Sequence, residues 1–194
     1  IEAIDSSGNV TSENADFISK TPWSAAFISY VMKKAGVTFG SAASHTQYLN
    51  NIKQYSNWKI LDPEETQIQV GDLVVQNRTD DKTNIKNNQK FSVTPYNGAS
   101  HGDIIVEISG NTAYGIGGNV NDTVYKSSFN LRGGKIVGDF FVVARESNQS
   151  DIDNYVRTAI AEYTLWNTSK WNELTANAKP KLSEYYSTVG LKLV

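Results

Sequence analysis

Apolar side chains near the start of the chain recur at the spacing of a helix that buries one face. This pattern predicts a helix over residues 21–36. Thr21 suits the N-cap and Pro22 the first helical position, and Gly36 suits the position just past the end. The side chains predicted to face the core are Trp23, Phe27, Tyr30, Val31 and Met32. The same spacing predicts a second helix over residues 44–55.

The pattern changes to a period of two after residue 66, which is typical of strands. We predict a strand over Val70–Gln76, then a long surface loop over residues 77–100. Four further strand-like runs, separated by Gly and Asn turns, lie at 101–109, 111–118, 121–129 and 138–146. Helices followed by an antiparallel sheet predict the α+β class.

The domain organisation predicted from these patterns has three parts. Residues 1–20 are polar and form an extended lead-in, and residues 21–146 form the main domain. Residues 150–190 are helical again and carry apolar faces that favour packing on the same domain. One helix there is capped by Ser150 or Asp151, and a second spans residues 171–186 with Pro180 as an obstacle.

Composition excludes several classes of function. The 194 residues carry a net charge of −2, which argues against nucleic-acid binding because a phosphate-binding surface normally shows a basic excess. No apolar run approaches the length of a membrane span. The absence of cysteine excludes disulfides, thiolate metal sites and cysteine nucleophiles, but it does not fix the compartment. Because the chain begins at Ile1, we expect that an N-terminal segment was removed or left out.

Metal and cofactor chemistry is not expected. The only two histidines, His45 and His101, lie far apart in the sequence and have no His-x-x-x-His or Glu pairing. Asp72 and Asp103 stand at predicted strand starts, where capping of turns is the better explanation than metal ligation. We therefore predict no metal site and no cofactor.

The residues that could carry chemistry are a serine, a histidine and an asparagine. Ser24 stands at the start of the first helix, where the helix dipole stabilises developing negative charge. His101 opens a strand and could act as the base, and Asn119 ends the next strand and could orient the imidazole. Taken singly, Ser24 is typical of a small residue near a helix start, and His101 of a structural histidine.

Four sequence motifs, which occur in the same order as in a known family, give the chain a resemblance to that family. PWSAAFISYVMKKAGV, GDLVV, SHGDIIVEI and IGGNV, within Thr21 to Glu146, resemble an uncharacterised family of bacterial and phage domains. That family is similar to the CHAP and NlpC-type papain-like amidases and peptidases of peptidoglycan. The resemblance implies a papain-like fold, with a central helix packed on a small antiparallel sheet.

The same resemblance implies roles for individual residues. Ser24 matches the nucleophilic cysteine, His101 the general base and Asn119 the orienting residue, while Gly117 stands where CHAP members have a glutamate. No CHAP role transfers to His45; we expect Trp23, His45 and Asp103 to contribute to substrate binding, although packing explains His45 equally well. A serine is not a conservative exchange for cysteine, because a hydroxyl loses its proton far less readily than a thiol.

Two functional hypotheses remain. The first is a peptidoglycan hydrolase of the amidase or peptidase type that uses Ser24, His101 and Asn119. The second is an inactive papain-like binding or structural module, such as a phage virion or tail component with neighbouring domains or virion proteins as partners. Both predict an extracytoplasmic or virion-associated location. The C-terminal helices resemble segments that precede the first helix in similar domains, so they indicate either a circular permutation or a fragment of a longer array.

Overall fold

The computed structural model describes residues 22–78, 99–121, 123–167 and 184–190, and shows a mixed α+β fold with a curled antiparallel sheet. The helices are α1 (Ser24–Lys34), α2 (His45–Ile52) and α3 (Gln149–Trp166). The strands are β1 (Trp58–Leu61), β2 (Leu73–Asn77), β3 (Ser100–Ser109), β4 (Thr112–Val120), β5 (Thr123–Arg132), β6 (Lys135–Ile136) and β7 (Phe140–Glu146). Residues 184–188 form a further helical turn. The α+β prediction is confirmed.

The seven strands form one sheet in the order β1-β7-β2-β3-β4-β5-β6, and every neighbouring pair is antiparallel. The predicted strands at 70–76, 101–109, 111–118, 121–129 and 138–146 all correspond to strands of this sheet. Their alternating side chains supplied the period of two that the sequence shows. β1 and β6 were not predicted, because four and two residues are too short to establish a period.

The sheet has two apolar faces, and among the described residues one of them packs against the helices. Leu73, Val75 and Ile104 belong to the larger core, which also contains the buried side chains of α1 and α2. Val74 and Ile105, one position along their strands, belong to a separate small core on the other face. In β3 and β4, even-numbered residues such as Ile104 and Ile116 therefore face the larger core, and odd-numbered residues such as Ile105 and Ala113 face the smaller one.

Helix α1 lies at the centre of the larger core. Nine of its eleven residues are buried, from Ser24 to Met32, so packing rather than helix propensity stabilises it. The helix begins at Ser24 with Trp23 as N-cap, so the predicted start with Pro22 in the first helical position was two residues too early. Thr21 lies outside the described residues. Gly36 adopts a left-handed conformation, with φ of 77°, as the predicted helix end requires.

Helix α3 packs on α1 through a cluster of aromatic rings. Trp166 stacks on Trp23 with ring centroids 5.4 Å apart, and Tyr185 from the last described segment lies 5.8 Å from Trp23. The helix is capped by Asn148, whose side chain accepts hydrogen bonds from the backbone of Ser150 and Asp151. The prediction that Ser150 or Asp151 is itself the cap was therefore wrong.

A buried carboxylate links the same elements. Glu162 of α3 is 2% exposed and accepts hydrogen bonds from Lys34 Nζ at 2.8 Å and from the Tyr185 hydroxyl at 3.1 Å. Trp166 Nε1 donates to the Tyr185 hydroxyl at 2.9 Å. Because the carboxylate has charged and polar donors, its burial is compensated, and α1 is tied to the C-terminal segment.

Several predictions fall on residues that the structure does not describe. They are the lead-in over residues 1–20, most of the loop over 77–100, and the greater part of the helix over 171–186. Within the described ranges, no helix is long and apolar enough to cross a membrane.

Candidate active site

Ser24 is held at the first residue of α1, at the edge of the buried core. Its side chain is 5% exposed, and its hydroxyl oxygen lies 2.6 Å from Nε2 of His45. The N-cap residue, Trp23, provides no side-chain hydrogen bond, and the first turn contains no acidic residue. The positive end of the helix dipole therefore faces the serine without an acidic side chain in the first turn to neutralise it.

His45 is the first residue of α2 and joins Ser24 to a tyrosine. Its Nδ1 lies 2.6 Å from the hydroxyl of Tyr48, which is three residues further along the same helix. His45 is 4% exposed and Tyr48 is fully buried. The three side chains thus form one continuous hydrogen-bonded series, from Ser24 through both ring nitrogens of His45 to Tyr48.

Burial sets the protonation states of this series. The pKa of His45 is lowered from 6.5 to about 3, chiefly by desolvation and in smaller part by electrostatic interaction with His101 and Arg78. Burial also raises the pKa of Tyr48, with a smaller contribution from the negative charge of Asp103. At neutral pH the imidazole is therefore uncharged and the phenol keeps its proton.

The conformation of the loop between α1 and α2 brings His45 within hydrogen-bond distance of Ser24. Phe39 packs between Tyr48 and Trp58, with ring centroids 4.9 and 5.3 Å away. Gly40 adopts a left-handed conformation, and its carbonyl accepts a 2.6 Å hydrogen bond from the Asn51 side chain. These contacts fold the loop back on α2, so that the first turn of α2 lies beside the first turn of α1.

Gly102 of β3 provides the space for His45 and Tyr48. A Cβ atom at this position would lie 2.7 Å from the Tyr48 hydroxyl and 2.9 Å from His45 Nδ1, both too close for real contacts. Glycine inside a strand weakens it, and commonly marks a close approach of another group. Here that group is the His45–Tyr48 hydrogen bond.

His101 and Asp103 lie on the opposite face of β3 from Gly102. Asp103 pairs in register with Val74, which belongs to the core on that face. His101 Nε2 is 3.4 Å from Asp103 Oδ2, and both side chains are at least 97% buried. Within the described part of the chain, this nitrogen and both carboxylate oxygens have no hydrogen-bond partner. A Cβ on Gly117 would lie 2.5 Å from Asp103 Oδ1, so glycine is needed there too.

The structure does not join Ser24 to His101, the base that the sequence predicts. Among the described residues the Ser24 hydroxyl bonds to His45, and the His45 and His101 rings have centroids 6.3 Å apart. Asn119 lies within the irregular pairing of β4 with β5, between Gly117 and Val120, and has φ of 61°. No hydrogen bond joins it to His101 in the described ranges. The residue assigned to substrate binding, His45, thus occupies the place beside the serine.

The other two residues assigned to substrate binding are buried. Trp23 is 1% exposed and packs on Trp166, and a Cβ on Gly118 would lie 2.8 Å from its ring. Asp103 is fully buried beside His101 rather than capping a turn. Asp72 does cap its turn, since it accepts a hydrogen bond from the Gln69 backbone at 2.8 Å, and it also binds Arg145.

Sequence reasoning missed Tyr48 as a site residue. The available signal was its spacing of three from His45 on a predicted helix, which places both side chains on one face. The described part of the chain contains no group of three or more His, Asp or Glu side chains that could hold an ion.

The arrangement has the elements that acyl transfer needs. A hydroxyl stands at a helix start, a neutral imidazole lies within hydrogen-bond distance of it, and the N-cap residue places no side-chain hydrogen bond on the backbone N–H groups there. The chemistry of the series depends on the direction of its two hydrogen bonds, because a base must accept the serine proton rather than donate its own.

The chain belongs to a family described as an uncharacterized protein conserved in bacteria (DUF2272), which matches residues 2–160. No curated protein and no solved structure matches the chain. Family membership agrees with the predicted resemblance to an uncharacterised bacterial family. The similarity to CHAP and NlpC-type enzymes stays a prediction.

Proposed function

We propose that this protein, as a member of that bacterial family, is a serine-dependent acyl hydrolase with Ser24 as nucleophile and His45 as general base. The observation that carries the proposal is the 2.6 Å contact between Ser24 Oγ and His45 Nε2 at the first residue of a helix. A Ser–His pair within hydrogen-bond reach is the common feature of serine hydrolases on unrelated folds.

In the proposed reaction, Ser24 Oγ attacks the carbonyl carbon of an amide while its proton passes to His45 Nε2. The backbone N–H groups at the start of α1 stabilise the oxyanion. His45 then gives the proton to the leaving amine, which departs and leaves an acyl-serine. Water hydrolyses this ester in a second step that regenerates the serine, again with His45 as base.

Peptidoglycan amides are the substrate class that we propose. The support is the bacterial family together with the resemblance of four motifs to papain-like peptidoglycan amidases. The central position of α1 against an antiparallel sheet agrees with a papain-like arrangement. A substrate of this kind places the protein outside the cytoplasm or on a virion.

A non-catalytic binding module is the second candidate, and one observation favours it. Ser24 and His45 are about 95% buried, and the pKa of His45 is about 3, far below that of an efficient base at neutral pH. A buried hydrogen-bonded series of this kind also stabilises a core without performing chemistry.

The test compares the protein with three variants, Ser24→Ala, His45→Gln and His101→Gln, on purified peptidoglycan. Released peptide and amine ends are read by mass spectrometry, and a fluorophosphonate probe reports the reactivity of Ser24. We expect release and labelling in the protein and in His101→Gln, and loss of both in the other two variants.

The two histidines separate the competing mechanisms. Activity that survives in His45→Gln and disappears in His101→Gln would replace our base with the one that the sequence predicts. If all four folded proteins release nothing and leave the probe unreacted, while still sedimenting with the polymer, the binding module takes the place of the hydrolase.

A further inference from the structure

The hydrogen bonds that join Ser24, His45 and Tyr48 have only two consistent sets of donors and acceptors. The inference drawn from them rests on the proposed function. A neutral imidazole has one ring N–H and one acceptor nitrogen. If His45 accepts from Ser24 at Nε2, its Nδ1–H must donate to Tyr48. If Tyr48 donates to Nδ1, the ring proton is on Nε2 and points at Ser24 Oγ.

The two directions leave different hydroxyl groups without an acceptor. In the first, the Tyr48 proton has none, because His45 is the only hydrogen-bond partner of its hydroxyl in the described residues. In the second, the Ser24 proton has none among the described residues. Leaving a buried donor unpaired costs the full desolvation of that group, whereas a donor in contact with solvent loses little.

Burial decides between the two directions. Tyr48 is fully buried, and Gly102 packs directly against its hydroxyl, whereas Ser24 retains 5% exposure at a helix start. We propose that Tyr48 donates to His45 Nδ1 in the ligand-free site and thereby holds the ring proton on Nε2. Tyr48 is thus a positioning residue that keeps the Ser24–His45 pair in its inactive direction.

Activation then requires a change of tautomer without a change of charge. Solvent water accepts the proton from Nε2 and returns one to Nδ1, so the net charge does not change, and Tyr48 turns its own hydroxyl proton away from the ring. Ser24 then donates to Nε2. Desolvation is the main cause that keeps the imidazole neutral during this exchange, with smaller contributions from His101 on β3 and from Arg78.

The tautomer is measured directly by long-range 1H–15N correlation spectra of the 15N-histidine-labelled protein near neutral pH. With only two histidines in the chain, the His101→Gln variant assigns both sets of signals. We expect His45 to carry its proton on Nε2 in the ligand-free protein. A proton on Nδ1 would overturn the proposal, whether or not Ser24 proves reactive.

The Tyr48→Phe variant tests the restraint, with Tyr55→Phe as its matched control. Tyr55 lies just beyond α2, and its hydroxyl has no hydrogen bond in the described ranges. In Tyr48→Phe we expect the population with the proton on Nδ1 to rise, and labelling of Ser24 by the fluorophosphonate to accelerate about tenfold, since about 1.4 kcal/mol corresponds to that factor. Tyr55→Phe should change neither.

The outcomes separate this proposal from the proposed function. Slower labelling in Tyr48→Phe, with the variant folded, would show that Tyr48 supports the base, and would reject the restraint. If His45 carries the proton on Nε2 but Ser24 is unreactive in every variant, the role of Tyr48 stands and the hydrolase fails.

Discussion

Replacement of Gly102 by alanine should destabilise the protein through the site itself. The new methyl group would lie 2.7 Å from the Tyr48 hydroxyl, 2.9 Å from His45 Nδ1 and 3.0 Å from His45 Cε1. All these atoms are buried, so that neither side chain can swing into solvent. Forcing a methyl group into such a packed place costs about 1–3 kcal/mol. Loss of the His45–Tyr48 hydrogen bond adds about 1 kcal/mol, so we expect a total of about 2–4 kcal/mol.

Urea unfolding, followed by tryptophan fluorescence and by circular dichroism, gives the free energy of unfolding. The control is Gly36→Ala, where a Cβ meets nothing within 4 Å but φ is 77°, so we expect only the conformational cost of about 1–2 kcal/mol. A second comparison makes Gly102→Ala in the Tyr48→Phe background, which removes the closest contact. The cost should then fall by about 1 kcal/mol as a coupling energy between the two positions.

The predicted clash with Tyr48 and His45 is contradicted if Gly102→Ala lowers the free energy of unfolding by no more than Gly36→Ala does. It is also contradicted if the cost is the same with and without the Tyr48 hydroxyl, because that would place the strain in the backbone of β3 rather than in the site.

Three further predictions concern charge and packing. The pKa of His45 is lowered from 6.5 to about 3, so the unfolded chain binds the extra proton. Stability should fall as the pH drops below about 6.5, by up to ~1.4 kcal/mol per pH unit, and His45→Gln should lose this part of the slope in urea titrations at several pH values. Glu162→Ala should cost about 2 kcal/mol and Glu162→Gln clearly less, measured by calorimetry, because the amide still accepts from Tyr185 whereas alanine does not. Arg145→Lys should cost about 1–2 kcal/mol, because lysine cannot reproduce the two 2.7 Å hydrogen bonds to both oxygens of Asp72; an unchanged urea midpoint would contradict this.

The sequence predicted the long, periodic elements because one physical rule determines each of them. A strand with one face toward a core must alternate apolar and polar residues, and an amphipathic helix must repeat its apolar residues at intervals of three and four positions. The prediction errors concern segments that are too short to show a period, and the ends of helices. β1 has four residues with only Trp58 fully buried, and the start of α1 is set by packing of Trp23 on Trp166 instead of by the Thr21-Pro22 signal.

The site was predicted less well than the fold, for a reason that concerns loops. Ser24 was found at the start of its helix because an N-terminal helix position can be inferred from local sequence. Which histidine meets it depends on the path of residues 35–44, fixed by the stacking of Phe39 on Tyr48 and by the Asn51 hydrogen bond to Gly40. Neither contact follows a period, so the sequence alone could not choose His45 over His101.

The glycines Gly102 of β3 and Gly117 of β4 make room for two different buried polar groups on opposite faces of the sheet. Gly102 faces the helices and makes room for the His45–Tyr48 hydrogen bond, whereas Gly117 faces the other way and makes room for Asp103 and His101. Glycines in strand interiors are unfavourable unless something approaches closely, so their presence on both faces indicates that two buried polar groups share this region. The two groups are close enough for His101 to lower the pKa of His45. Desolvation is the larger cause of that low pKa, and His101 adds to it without a hydrogen bond to Ser24 among the described residues.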